Sequence, residues 1–348
     1  MNSVTSVVKL FKDLTSDDLS EQLGIPLRLA RRLQSLLVRK GAAELPRELP
    51  EVSPRLLARL RDAAQVPHLT LLEKVVSPQD DFAKYLFRGV GDEPFEAVRI
   101  PLLHRQNDPK YVVCVSSQVG CALACAFCAT GRMGFRRNLE SWEIVDQVVK
   151  VQADSEHPVR GVVFMGMGEP LLNYDRVMRA AAIFSEPCGL AISAKSISIS
   201  TAGVVPAIRR FTTEKRPYRL VVSLTSADPE KRRELMPIEN TYSLPELMAA
   251  VRDHQAATGT RSMLAWTAIS GVNTSAEDAR QLAELTAGLP IKLDLIDVND
   301  ATGQFLPPSD SELATFRDAL RQELAMPVIR RYSGGQDIQG GCGMLAGK

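Results

Sequence analysis

Three thiols, Cys121, Cys125 and Cys128, fall in Gln118-Val-Gly-Cys121-Ala-Leu-Ala-Cys125-Ala-Phe-Cys128, separated by three and then two residues. Spacing this tight lets three thiolates converge on one polynuclear iron–sulfur cluster, and the small residues Gly120, Ala122, Ala124 and Ala126 let the loop wrap closely. Three protein ligands leave the fourth iron open to a bound molecule. Structural zinc is the competing chemistry, but it calls for four ligands, usually as two separated pairs, and no second pair is present. Four of the six cysteines lie between Cys114 and Cys128. In a reducing compartment such a cluster is a metal or redox site more often than a disulfide framework.

The other thiols read differently. Cys114 alternates with apolar neighbours just ahead of the loop, so burial in the core is its plain explanation. Cys342 lies among Gly334, Gly335, Gly340, Gly341, Gly343 and Gly347, a stretch too flexible to be core. A thiol on such a loop suits a group that visits two partners in turn, and a free thiol on a frayed tail is the alternative. Cys188 belongs to no motif and reads as structural.

These residues need a scaffold. From residue 111 strand-like and helix-like stretches alternate, with strands expected at Tyr111–Ser116, Gly161–Met165, Ser196–Ser200, Leu220–Leu224, Met263–Ile269 and Lys292–Asp297. Helices are expected between them, at Ser141–Gln152, Asn173–Phe184 and Ser275–Ala287. Six strands joined by long crossovers imply a parallel sheet, either doubly wound or a partial barrel. Ser200, Ser223-Leu224-Thr225 and Asn299 then fall at carboxyl ends of strands, where parallel barrels gather their chemistry, although each taken singly reads as a turn cap. Residues 1–66 read as a small helical domain: Thr15 or Ser16 caps a helix that Gly24-Ile25-Pro26 ends, and another runs from Pro54 to Ala64. Residues 67–106 read as a strand-rich connector with a turn near Ser77–Asp80, and 107–348 as the core with its C-terminal loop.

Hydrophobic residues make up 45% and charged residues 24%, the balance of a globular protein with a sizeable core. No apolar run approaches the roughly 18 residues of a membrane span, and the first residues lack the pattern of a signal peptide, so a cytoplasmic protein is expected. The net charge of +1 does not argue for nucleic acid, but nine Lys or Arg against three Glu between Arg28 and Arg61 do so locally, if they are more than a solvated helix face.

The CxxxCxxC spacing, with Phe127 before its last cysteine, resembles the radical S-adenosylmethionine superfamily. The narrower resemblance is to the RlmN/Cfr family of radical RNA methyltransferases. It is carried by Cys114 through Cys128, Gly134-Phe-Arg-Arg-Asn-Leu139, Met165-Gly-Met-Gly-Glu-Pro-Leu-Leu-Asn173, Ser200-Thr-Ala-Gly-Val-Val-Pro206 and Asp337-Ile-Gln-Gly-Gly-Cys342-Gly-Met-Leu-Ala-Gly347. It implies a partial (β/α)6 barrel, a 4Fe-4S cluster on Cys121, Cys125 and Cys128, and S-adenosylmethionine on the open iron. Gly168 and Glu169 would hold the cofactor's amino group, with Ser200, Ser223, Leu224, Thr225 and Asn299 around the rest.

The same resemblance implies a reaction. Cys342 is methylated and becomes the carbon donor to carbon 2 or carbon 8 of an adenosine in ribosomal or transfer RNA. Glu96, ahead of Ala-Val-Arg-Ile-Pro101, removes the ring proton, and Cys114 resolves the intermediate by attacking the Cys342 sulfur, leaving a disulfide. The target base must be unpaired or extruded, with Arg28–Arg61, Arg132, Arg136 and Arg137 on the phosphates. A flavodoxin or ferredoxin supplies electrons, and a monomer is expected. The chain departs from the family at Thr225-Ser226-Ala227, at Asp297-Val-Asn-Asp300 and in having no basic tail after Cys342. Rival readings are a radical enzyme of the same fold acting on a non-RNA substrate, a non-catalytic RNA-binding relative, and a doubly wound nucleotide-binding protein, which the lack of GxGxxG after the first strand disfavours.

Overall fold

The computed structural model describes residues 9–102, 108–326 and 328–347. Near the N-terminus, β1 (Lys9–Leu10) pairs in parallel with β2 (Ala64–Gln65), bracketing α1 (Ser16–Leu23), α2 (Leu27–Gln34) and α3 (Pro54–Ala63). Thr15 starts α1 with a reciprocal cap: its hydroxyl accepts the Asp18 N–H while the Asp18 carboxylate accepts its own. Gly24 ends the helix in the left-handed region. The apolar faces of these helices close on one another, burying Phe11, Leu19, Ala30, Leu33, Leu37 and Leu60 in a core of their own.

The rest of the chain packs around one sheet. β3 (Thr70–Val76), β4 (Ala83–Arg88), β5 (Phe95–Leu102) and β6 (Lys110–Cys114) form an antiparallel meander. A short hairpin, β7 (Gln118–Val119) with β8 (Arg137–Asn138), then brackets the cysteine loop and α4 (Ala129–Arg132). Crossovers follow: β9 (Val159–Phe164), β10 (Ile197–Thr201), β11 (Arg219–Ser223), β12 (Ser262–Ala268), β13 (Ile291–Asp297) and β14 (Ile329–Arg331) run parallel to β6 and to one another. The crossovers carry α5 (Ser141–Ala153), α6 (Tyr174–Ser185), α7 (Val205–Thr213), α8 (Pro229–Leu235), α9 (Leu244–Thr258), α10 (Ala276–Leu285) and α11 (Asp310–Leu324).

The order β14-β13-β12-β11-β10-β9-β6-β5-β4-β3 never reverses, whereas a doubly wound sheet turns back at a switch point. A sheet wound one way coils on itself, and its ends meet here. Tyr332, just past β14, donates its hydroxyl to Asp80 at 2.9 Å and sets its ring edge-on to Phe82, with centroids 6.1 Å apart. The partial barrel is therefore the fold. The six expected strands stand within two residues of their expected ends, and a seventh parallel strand, β14, joins them. The segment expected as a connector continues the same sheet through β3, β4 and β5. Among the described residues no helix is long and apolar enough to cross a membrane.

One buried ion pair fastens the N-terminal helices to the barrel. The Lys12 ammonium lies 2.6 Å from Asp146 on α5, and both side chains are almost inaccessible to water. The other Asp146 oxygen accepts the Leu69 N–H at 2.6 Å, and Asp13 accepts the Trp142 N–H at 2.6 Å. Removing one partner of such a pair strands a buried charge. Lys12→Met should destabilise the protein by about 3–5 kcal/mol, read as a lowered denaturant midpoint in urea; a midpoint equal to that of the parent protein contradicts this account.

Candidate functional site

The carboxyl ends of the parallel strands surround a cavity. Cys121, Cys125 and Cys128 line one side of it. Their loop is shaped by backbone contacts. At Gly120, with φ near +70°, an added Cβ would fall 1.8 Å from the Gly134 carbonyl oxygen, so only glycine lets the two strands of the β7–β8 hairpin close. The Cys121 N–H donates to that same carbonyl, and Ala126 donates to the Leu235 carbonyl at the end of α8. Burial pushes the Cys121 thiol up to about 12, and burial likewise raises Cys125. Thiols in such a place become thiolates when a bound metal supplies the positive charge. Among the described residues no three His, Cys, Asp or Glu side chains converge as a single metal ion requires. Three thiols of one loop on one side of the cavity are the donor set of a polynuclear cluster, which takes one thiolate on each of three irons, whereas a structural zinc site calls for four ligands.

Opposite the cysteines, the end of β9 runs hard against the end of β6. A Cβ on Gly166 would stand 2.7 Å from the Val115 backbone, and one on Gly168, at φ +98°, would stand 2.5 Å from the Gln118 side chain. That approach sets Glu169 on the cavity wall, 3% exposed. Its two oxygens accept N–H bonds from Leu171 at 3.0 Å and Ala202 at 2.8 Å. Burial still lifts its carboxyl to about 7. A buried carboxylate held open to the cavity is the group that an ammonium would complete. Ser200 and Ser223 stand side by side on the wall, their hydroxyl oxygens 3.5 Å apart, and Asn299 lies beyond them.

The structure brings Gly168, Glu169, Ser200, Ser223 and Asn299 to the cavity with the three cysteines, but not Leu224 or Thr225. Both are fully buried behind the wall; Thr225 has φ +62° and a buried hydroxyl without a hydrogen-bond partner. Sequence reasoning missed Thr201, Met236, Ala265, Thr267 and Ile296, which also line the cavity, as does Asp297 of the divergent segment Asp297-Val-Asn-Asp300. Period-two alternation from Met263 through Ala265 to Thr267 was the available signal for β12.

Cys342 lines this cavity too, at its rim, and also lines a smaller cavity shared with Cys114, Met165 and Arg331. Both thiols are free. Cys114, at the end of β6, is buried, and burial reinforced by the neighbouring Cys342 raises its thiol to about 12. The glycine-rich tail is tied down at several points. Asn299 donates to the Cys342 carbonyl at 3.3 Å and to Ser333 Oγ at 2.9 Å, and Ser333 Oγ in turn accepts the Cys342 N–H. The Gly343 carbonyl accepts from Ala129 at 2.8 Å and the Leu345 carbonyl from Thr130 at 2.6 Å, which lays the tail on α4. Glu96, on β5, lies outside the cofactor-sized cavity. One of its oxygens accepts the Ala346 and Gly347 N–H groups at 2.7 and 2.9 Å, and the other faces Lys84 at 3.0 Å.

Several basic residues expected at phosphates are engaged within the protein. Arg28 and Arg32 face Glu51, Arg132 pairs with Asp300 at 2.7 Å, and Arg137 pairs with Glu143 at 2.7 Å.

The Glu169 carboxyl gives a pH signature. In the folded, ligand-free protein it ionises near 7, and in the unfolded chain near 4.5. Between those values the unfolded state has lost a proton that the folded state keeps, so Glu169 makes stability fall as pH rises. Comparing denaturant midpoints at pH 5 and pH 8, Glu169→Gln should lose this fall relative to the parent; parallel pH profiles would contradict the assignment.

Comparison with known proteins agrees with this geometry. Residues 115–285 match the Radical SAM superfamily. A probable RNA methyltransferase of Myxococcus xanthus is 53% identical over 85% of this chain and 81% of its own length. The dual-specificity RNA methyltransferase RlmN of Syntrophobacter fumaroxidans is 40% identical over 96% of this chain and 97% of its own. The crystal structure of a radical SAM methyltransferase from Sphaerobacter thermophilus superposes with a TM-score of 0.88 and 34% identity, covering 98% of this chain and all of that one. Barrel, cysteine loop and near full-length likeness together place the chain in the RlmN family of radical SAM RNA methyltransferases.

Proposed function

We propose that the protein methylates carbon 2 or carbon 8 of an adenosine in ribosomal or transfer RNA by way of an S-methylated Cys342. The observation that carries this reading is the position of Cys342: one half-buried thiol borders the cavity lined by the cluster cysteines and also the cavity that holds Cys114. When bound, the cluster on Cys121, Cys125 and Cys128 and S-adenosylmethionine would supply the methyl group and a hydrogen-abstracting radical. The protein's part is to hold and hand over that carbon.

Glu169, Gly168, Ser200, Ser223 and Asn299 orient the cofactor's polar ends. Asn299 is doubly engaged, since it also fixes the backbone of Cys342, and so couples the cofactor wall to the carbon carrier. Cys342 bears the carbon to the adenine ring, forming a carbon–carbon bond while its own carbon–sulfur bond persists. The adduct gives up one electron, for which the cluster site would be the acceptor, and Glu96 takes the displaced ring proton, for which its carboxylate must exchange the tail amides it now holds. Cys114 then attacks Cys342 Sγ. A sulfur–sulfur bond forms, the carbon–sulfur bond breaks with its electron pair left on carbon, and a proton completes the methyl group. A dithiol or equivalent two-electron reductant restores both thiols. The electron donor to the cluster is a flavodoxin or ferredoxin.

The test uses anaerobically reconstituted protein, cofactor labelled in its methyl group, and bulk bacterial RNA digested to nucleosides. Label should appear in a carbon-methylated adenosine. Cys342→Ala should lower it to background, with no label in the protein. Cys114→Ala should leave a covalent protein–RNA species visible as a shifted band on a denaturing gel. Normal RNA methylation by Cys342→Ala overturns the carbon-carrier role.

A further inference from the structure

The amino ends of the parallel strands open into a second, larger cavity of about 940 Å³. Its rim is basic. Arg160 opens β9, Lys195 precedes β10 and Arg219 opens β11; all three are exposed, and among the described residues none has an ion-pair partner. Three further cations of the rim do face acids, Lys110 toward Asp108, Lys292 toward Asp294 at 3.8 Å and Arg330 toward Asp297 at 2.7 Å. Tyr332, 72% exposed, adds an aromatic surface of the kind on which unpaired bases stack.

The mouth leads inward. Phe82, Ile100, Arg331 and Tyr332 border both this cavity and the small one holding Cys114 and Cys342, and Met165 and Cys342 border both that one and the cofactor-sized cavity. The three spaces are thus consecutive through the barrel. Arg219 and Val221 lie on one face of β11, about 7 Å apart along the strand, and Val221 forms with Ala265 and Ile296 the small apolar cluster against which Cys342 packs. An anion held at Arg219 therefore has its attached base within reach of the carbon carrier. The Arg331 side chain stands at the narrows between the two cavities, 3.3 Å from Met165 Sδ.

We propose that this amino-end mouth binds the RNA backbone around the target, with Arg160, Lys195 and Arg219 as phosphate contacts, so that the extruded nucleoside enters from the end of the barrel opposite the cysteine loop. The proposal rests on the RNA-methylation reading and adds the path of the substrate. An acidic electron carrier is the other polyanion a basic rim could attract, but it must approach the cysteine loop at the opposite end.

The test is fluorescence anisotropy of the anaerobically prepared full-length protein with a 5′-fluorescein RNA stem-loop carrying an unpaired adenosine, across a salt series. The triple variant Arg160→Glu, Lys195→Glu, Arg219→Glu should weaken binding at least about tenfold. It should also flatten the slope of log affinity against log salt by about two, because each phosphate left without its cation removes about 0.7 from that slope. The milder Arg160→Gln, Lys195→Gln, Arg219→Gln set should show the same flattened slope with a smaller drop in affinity. Equal slopes in parent and variants, with the parent binding RNA, overturn the proposal alone. Variants that lose flavodoxin binding and keep RNA binding overturn it in favour of the electron carrier. A parent protein that binds no RNA overturns the RNA reading together with this one.

Discussion

The fastening of residues 333–347 across the end of the barrel is what the rest of the site depends on. Cys342 has no secondary structure of its own. Its place is set by Asn299 and Ser333 on one side and by the backbone of α4 on the other. Because α4 follows Cys128 directly, Cys342 and the cysteine loop are positioned off the same short helix. A thiol held this way is close to two cavities yet attached by single hydrogen bonds, each worth about 1 kcal/mol. It can be placed accurately and still move.

The barrel supplies rigidity elsewhere. Gly166 and Gly168 allow β9 to end against β6, which brings Glu169 onto the wall, and Gly120 allows the hairpin beneath the cysteine loop to close. These are constraints of volume, where any side chain would displace backbone. The N-terminal helices, with their separate core, are tied in through Lys12 and Asp146, so that α5 serves both halves of the chain.

Much of this was legible in the residues. The spacing of Cys121, Cys125 and Cys128 depends only on local chain geometry, and the strands show because β-branched runs alternate with helical stretches between clear turn residues. What escaped was set by conformation or by backbone groups. Ser223 and Thr225 would share a face if β11 continued, but the strand ends at Ser223 and the left-handed turn at Thr225 sends that side chain into the core. The tail is held by its own amides and carbonyls, which every residue has, and their partners Glu96, Thr130 and Asn299 are scattered along the chain, so no local pattern announces the hold. β14, three residues long and mostly exposed, lacks the apolar run that marks the other parallel strands.

The meeting of Tyr332 with Asp80 and Phe82 has a mechanical consequence. Where the two flanks of the sheet approach, they are joined by side chains and not by a continuous ladder of peptide hydrogen bonds. Parting that seam costs the phenol and ring contacts of Tyr332 and the hydrogen bonds from Gly335 to Asp80 and from Ser77 to Asp337, while every strand keeps its own neighbours. The barrel can therefore widen sideways for a bulky macromolecule without unravelling, which a fully closed cylinder of strands could not do.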